Sequence, residues 1–236
     1  MCYTFANIWF EDWTEETLVD CIIKNDKKII FANQNMHSFY LTLKGDLKVF
    51  FEKADYVHID GMWLVYLFRF FGIPVNRKNR VTSLDFHKPL FNKCSTLNKK
   101  IFILGGTKEC STKCKETLIK DFNLNIETWN GFDDLGINKI IEFKPDILFV
   151  GMGMPLQENW ILENYYKLPN CVIMPTGGFS DLITGIQKVC PRFLGQIGLE
   201  WLFRLMCSPK RLFKRYLIEP FLITYYLLKY KFRDKK

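Results

Sequence analysis

Six short apolar runs punctuate the first three quarters of the chain, and they constrain its fold more than any other feature. KKIIFAN, YVHI, KKIFILGG, NLNIETW, DILFVGMG and NCVIMPTGG are rich in Ile, Val and Phe, and most end in Gly, Asn or Asp. Runs this short, apolar on successive residues, read as buried strands of a largely parallel sheet. Between them lie segments of helical period, among them Thr107–Asp121 and Pro155–Lys167, the latter with Pro in its first turn. The alternation predicts an α/β fold, a doubly wound, mostly parallel Rossmann-like sheet. Ligands of such sheets sit outside the carboxyl ends of the strands. Here those ends carry Asn33–Asn35, Asp60–Gly61, Gly105–Gly106, Gly151–Gly153 and Gly177–Gly178.

From about Pro191 the pattern changes. A helical GQIGLEWLFRLM leads into SPKRLFKRYLIEPFLITYYLLKYKFRDKK, where basic residues alternate with large apolar ones. The expected division is a catalytic α/β domain over residues 1–190 and a C-terminal, helical, basic amphipathic appendage over 191–236. The net charge of +8 is concentrated in this tail: Arg204 to Lys236 holds ten Lys or Arg against Glu219 and Asp234, which leaves 23 of each sign in the other 203 residues. Such a tail suits an anionic partner and a membrane-associating role in the headgroup interface. The uncharged run Pro220 to Leu228 is well short of the roughly 20 residues of a spanning helix. The N-terminus has no basic n-region and meets acids by residue 11, so it does not read as a signal peptide. Eight Cys without a CxxC pair read as small buried thiols of a reducing cytosol.

The glycine-bearing ends LGG, GMGMP and TGG could cradle a diphosphate with backbone amides. No strand end reads GxGxxG, which argues against a nicotinamide oxidoreductase, and there is no P-loop lysine. An Asp-x-Asp pair at a strand end is also missing, so neither a metal nor a cofactor is expected, and protein cations or amides must neutralise a leaving diphosphate. Taken singly, the polar candidates have plain readings. Asp60 and Asp181 read as helix caps or turn residues. Gln157 and Glu158 open a helix. Arg204, Arg211 and Arg215 read as a solvated basic face, and His37, His58 and His87 carry no assigned role.

Taken together and in order, these segments resemble the WecG/TagA/CpsF glycosyltransferases. The likeness rests on ADYVHIDG at 54–61, Arg80 with Val81 and Thr82, GMGMPLQENW at 151–160, GGFSD at 177–181, Pro191, and LEWLFRL at 199–205 followed by SPKRLFKRYL. It runs from about Thr14 to Leu217. The resemblance implies an inverting, metal-independent transferase that moves N-acetylmannosamine or a relative from UDP to a polyprenyl-diphosphate-linked N-acetylglucosamine, on the cytoplasmic face of a membrane. It implies Asp60 as the base, with Arg204, Arg211 and Arg215 offsetting the diphosphate charge. Asn33, Asn35, Arg80, Gly105, Gly106, Gly131, Phe132, Gly153, Gln157, Asp181 and Lys214 become substrate-binding positions. Several positions depart from the family's usual residues, namely Asn33 for Thr, Leu156 for Lys, Val189 for Arg, Cys190 for Ala and Lys214 for Arg, and they bear on which sugar is taken. The competing class is a non-catalytic binder of nucleic acid or anionic surfaces. A nucleic-acid protein spreads charge over a folded face, whereas the body here is neutral, so no nucleic-acid partner is expected. A homo-oligomer is compatible with the sequence.

Overall fold

The computed structural model describes residues 2–6, 8–131, 136–196 and 198–233. Two strands, β1 (Cys2–Phe5) and β2 (Ile8–Glu11), form an antiparallel hairpin ahead of the main sheet. The sheet then alternates with helices in chain order. First come α1 (Glu15–Lys24), β3 (Ile29–Gln34), α2 (Met36–Lys44), α3 (Lys48–Lys53), β4 (Tyr56–Ile59), α4 (Met62–Phe70) and α5 (Ser83–Thr96). There follow β5 (Lys100–Gly105), α6 (Lys108–Phe122), β6 (Asn125–Trp129), α7 (Ile137–Phe143), β7 (Ile147–Gly151), α8 (Leu156–Asn164), β8 (Val172–Pro175) and α9 (Phe179–Ile183). The six strands lie in the order β4-β3-β8-β7-β5-β6 and pair in parallel throughout. Each matches one of the six apolar runs, so the α/β, mostly parallel sheet expected from them is the observed one.

Residue alternation explains why helices cover both faces. Ile30, Ala32, Val57, Phe102, Leu104, Leu148 and Val150 bury on one face against α2, α3, α4 and α8. Their neighbours Ile29, Phe31, Ile101, Ile103, Ile147 and Phe149 bury on the other against α1, α5 and α6. A strand buried on both sides must be apolar at successive positions, which is what the runs display. The hairpin, which periodicity did not anticipate, closes the β4 side: Phe10 stacks on Phe68 of α4 at 4.3 Å, and the Trp9 indole donates to Phe51 O at 2.9 Å. All eight cysteines are free, with Cys94, Cys110, Cys114 and Cys171 buried.

Beyond α9 the chain is helical: α10 (Arg192–Gln196), α11 (Glu200–Cys207), α12 (Pro209–Phe213), a π-helical turn over Lys214–Ile218, and α13 (Glu219–Arg233). These helices return to the sheet edge. Leu212 and Ile223 are buried, and Ile223 joins the core cluster that holds α2. The His37 ring nitrogen lies 2.8 Å from the Glu219 carboxylate, fastening the start of α13 to the start of α2. Among the described residues no helix is long and apolar enough to cross a membrane.

Candidate active site

Parallel pairing puts the carboxyl ends of β3, β4, β7 and β8 along one edge, and the C-terminal helices fold over it. Between them lies a cavity of about 500 Å³ lined by Asn33, Asn35, Asp60, Gly153, Gly177, Arg204, Arg211, Lys214, Arg215 and Tyr216, among others. A second cavity of about 250 Å³ adjoins it and shares Asn35, Asp60, Arg204, Arg215 and Tyr216. Asp60 therefore stands where the two meet.

Asp60 follows β4 directly, and its backbone N–H donates to Gln34 O at 2.7 Å, extending the ladder with β3 by one bond. Helix α4 begins at Met62 with Gly61 as its cap and no side-chain capping bond. The plain reading of Asp60 as a helix cap therefore fails, and its carboxylate stays half-buried and available. The Asn33 amide donates to Asp60 Oδ2 at 3.2 Å and fixes the carboxylate's orientation from the neighbouring strand. Asn35 has a structural duty: its Oδ1 caps α2 by accepting from His37 N and Ser38 N, and it also accepts from Arg215 at 3.2 Å.

The arginines differ in how their charge is met. Arg204 sits 2.6 Å from Glu200, one turn earlier on α11, and its guanidinium also bonds Tyr216. Arg215 has no carboxylate within ion-pair distance among the described residues, and its Nε is buried without a partner. Burial pulls its pKa below the usual arginine value. The π turn presents it: Glu219 N–H returns to Lys214 O, five residues back, widening the helix where Lys214, Arg215 and Tyr216 project. An enclosed guanidinium with unspent donors is built to receive an anion.

Other expected positions lie elsewhere. Gln157 is fully buried and does not line the cavity. Its Oε1 accepts from Gly177 N at 3.0 Å and its Nε2 donates to Glu158 at 2.7 Å, so it shapes the cavity wall through the Gly177 backbone. Arg80 lies in an adjoining groove, bridging Asp85 and Glu200 at 3.5 and 3.4 Å. Through Glu200 it braces Arg204. Asp181 makes no cap for α9, accepts from the Cys110 thiol at 3.4 Å, and lines a separate groove with Lys210 and Arg211. Gly105, Gly106 and Gly131 end β5 and β6, farther along the edge. A side chain at Gly105, whose φ is +147°, would run into Gly151 O, so this glycine is required by the approach of β5 to β7. Phe132 lies outside the described residues.

Four participating residues were not anticipated. Tyr216 lines both cavities, Trp201 lines the smaller one, and His37 with Glu219 ties the roof to the floor. Trp201 lies inside the LEWLFRL block and Tyr216 directly follows a cation pair, which were the signals available.

Residues 3–236 match the Glycosyl transferase WecG/TagA/CpsF family. Among characterised relatives, the N-acetylglucosaminyldiphosphoundecaprenol N-acetyl-beta-D-mannosaminyltransferases of Staphylococcus aureus strains NCTC 8325 / PS 47 and COL are each 26% identical over 193 residues. The match covers 80% of this chain and 75% of the relative.

Proposed function

The chain belongs to the WecG/TagA/CpsF family and is a glycosyltransferase, and from that premise we propose that it passes an N-acetylmannosamine-type sugar from UDP to a polyprenyl-diphosphate-linked N-acetylglucosamine, with inversion. The observation that carries this reading is Asp60: a carboxylate free of capping duty, oriented by Asn33, at the junction of two cavities that are also lined by Arg215, whose Nε is buried without a partner among the described residues. The acceptor hydroxyl oxygen bonds to the anomeric carbon as the bond from that carbon to the UDP oxygen breaks. The hydroxyl proton passes to Asp60, and the departing diphosphate carries the negative charge away. Arg215, Lys214 and Arg211, all lining the larger cavity, offset that charge. The larger cavity, walled by the Gly153 and Gly177 backbone, suits the donor diphosphate.

The substrate class is carried over from the Staphylococcus aureus relatives, whose names specify an undecaprenol-linked acceptor and a mannosaminyl donor group. The protein would work at the inner membrane face, with α12 to α13 against the headgroups. Exposed Phe213, Leu217, Ile218, Phe221, Tyr225 and Leu228 lie there between exposed Lys210, Arg211 and Lys214 on one side and Lys229 on the other. The test is UDP release from a panel of UDP-sugars with a short-chain alkyl-diphosphate-N-acetylglucosamine acceptor. UDP-N-acetylmannosamine should give the highest turnover, and no acceptor-dependent release from any donor would refute the reading.

A further inference from the structure

The two cavities that meet at Asp60 differ in chemistry. The larger offers backbone amides, Lys44, Arg211 and Lys214. Apart from the shared residues, the smaller is walled mainly by Met36, Met62, Trp63, Trp201 and Pro220. Its remaining charged group, Glu200, is already held between Arg80 and Arg204. A second nucleotide diphosphate would find no free cation there beyond the shared Arg204 and Arg215.

Two features make this a built pocket. Gly198, at φ +81°, lets the turn before α11 close onto α4: a side chain there would meet Tyr66 at 3.0 Å and Met62 at 3.4 Å. Trp201 lines the same cavity as Met62 and Trp63. Trp201 in turn lies 6.2 Å from Tyr216, centroid to centroid, with planes tilted 59°. Trp201 remains 38% exposed, and the neighbouring Leu202 and Phe221 are exposed as well. The pocket is thus lined by aromatic side chains together with the Asp60 carboxylate and two guanidiniums, and exposed Leu202 and Phe221 directly follow its lining residues Trp201 and Pro220 in the chain.

We infer that this smaller cavity is the acceptor subsite, in which the pyranose ring of the lipid-linked sugar stacks on Trp201 with its reactive hydroxyl toward Asp60. At about 250 Å³ it is smaller than a drug-sized pocket and fits one sugar ring. The C–H face of a pyranose is apolar and complements an indole face. The hydrocarbon tail leaves across Leu202 and Phe221. This subsite rests on the transferase reading above.

The experiment separates the two ideas. Calorimetric titration of the full chain with a water-soluble short-chain alkyl-diphosphate-N-acetylglucosamine, without donor, measures binding alone; initial rates then give KM for each substrate. Trp201→Ala should weaken acceptor binding and raise acceptor KM by roughly tenfold, the scale of one aromatic stacking contact. Donor KM should stay within about twofold, and Trp201→Phe should restore most of the loss. Unchanged acceptor affinity in Trp201→Ala, a rise in donor KM instead, or no acceptor binding by the wild type would each overturn the subsite. If the wild type binds acceptor in a Trp201-dependent way yet transfers no sugar, the subsite stands and the transferase reading falls.

Discussion

The sheet wall of the Asp60 cavity and its helical wall hold their polar groups in opposite ways. On the sheet side, Asp60 is tied to β3 through its backbone and to Asn33 through its side chain, and Gly177 is pinned by Gln157. On the helical side, Arg215 has one side-chain hydrogen bond, to Asn35, while Lys214 and Arg211 are exposed side chains. Backbone ladders hold a carboxylate on a rigid element, where its position is set more precisely than on a loop. Cations on short helices instead bring charge that is not yet spent on the protein. An inverting transfer needs both: a base fixed in line with the acceptor hydroxyl, and unspent positive charge for the leaving group.

The largest test of this contrast is on the fixed side. Asp60→Asn keeps the volume and can still bond Asn33, but it cannot take a proton. Turnover should fall about 10²- to 10⁴-fold, the usual contribution of a general base. UDP affinity and melting temperature should stay close to wild type. Near-normal turnover at saturating acceptor would show that the ordered wall positions substrates without performing the proton transfer.

The next test addresses the side with unspent charge. Arg215→Met should lower kcat by roughly 10²- to 10³-fold, as expected when one preorganised charge donor is lost. Because Arg215 is partly buried, with its Nε enclosed and no carboxylate partner among the described residues, its charge costs stability in the free protein. Arg215→Met should therefore melt at the same temperature or higher than wild type. A large fall in both activity and melting temperature would mean that Arg215 is a structural group and that the helical wall is tied down as firmly as the sheet wall.

The two walls also differ in how far the sequence disclosed them. All six parallel strands were legible because burial on both faces demands consecutive apolar residues, as Ile29 to Ala32 show. The strand-end position of Asp60 followed, since a parallel sheet puts every strand's carboxyl end on one edge. Its freedom from capping did not follow, because only the first turn of α4 reveals that Gly61 is the cap. Likewise Gln157 and Arg80 belonged to recognisable blocks. Their indirect roles, through Gly177 and Glu200, depend on contacts 20 and 120 residues apart. The hairpin of residues 2–11 has strands too short to show a period. The contribution of the C-terminal helices to the core, through Leu212 and Ile223, was hidden among residues that also suit a membrane surface.

The smallest effect concerns what stiffens the sheet wall. Gln157 can hold Gly177 because Glu158 accepts from its amide, yet Glu158 is buried with its second oxygen unpartnered among the described residues. Burial raises its pKa from 4.5 to about 7, against the opposing bond from Gln157. A raised native pKa means that the folded chain keeps a proton which the unfolded chain releases above about 4.5. The associated stability is therefore fully present at low pH and is lost as pH rises through about 7. Buried His58, with its pKa lowered to about 4 by desolvation, acts in the reverse sense: its stability is present above the ordinary histidine value and is lost as pH falls toward 4. Comparing wild type with Glu158→Gln cancels the His58 contribution, since both proteins carry it. Between pH 6 and 8 the wild type should lose about 1 kcal/mol more than Glu158→Gln. That corresponds to roughly 2–4 °C in melting temperature for a chain of this size. The measurement is a pair of thermal melts at each pH. Parallel curves would show that Glu158 is ionised at no cost, and the sheet wall would then carry a charge as unspent as that of Arg215.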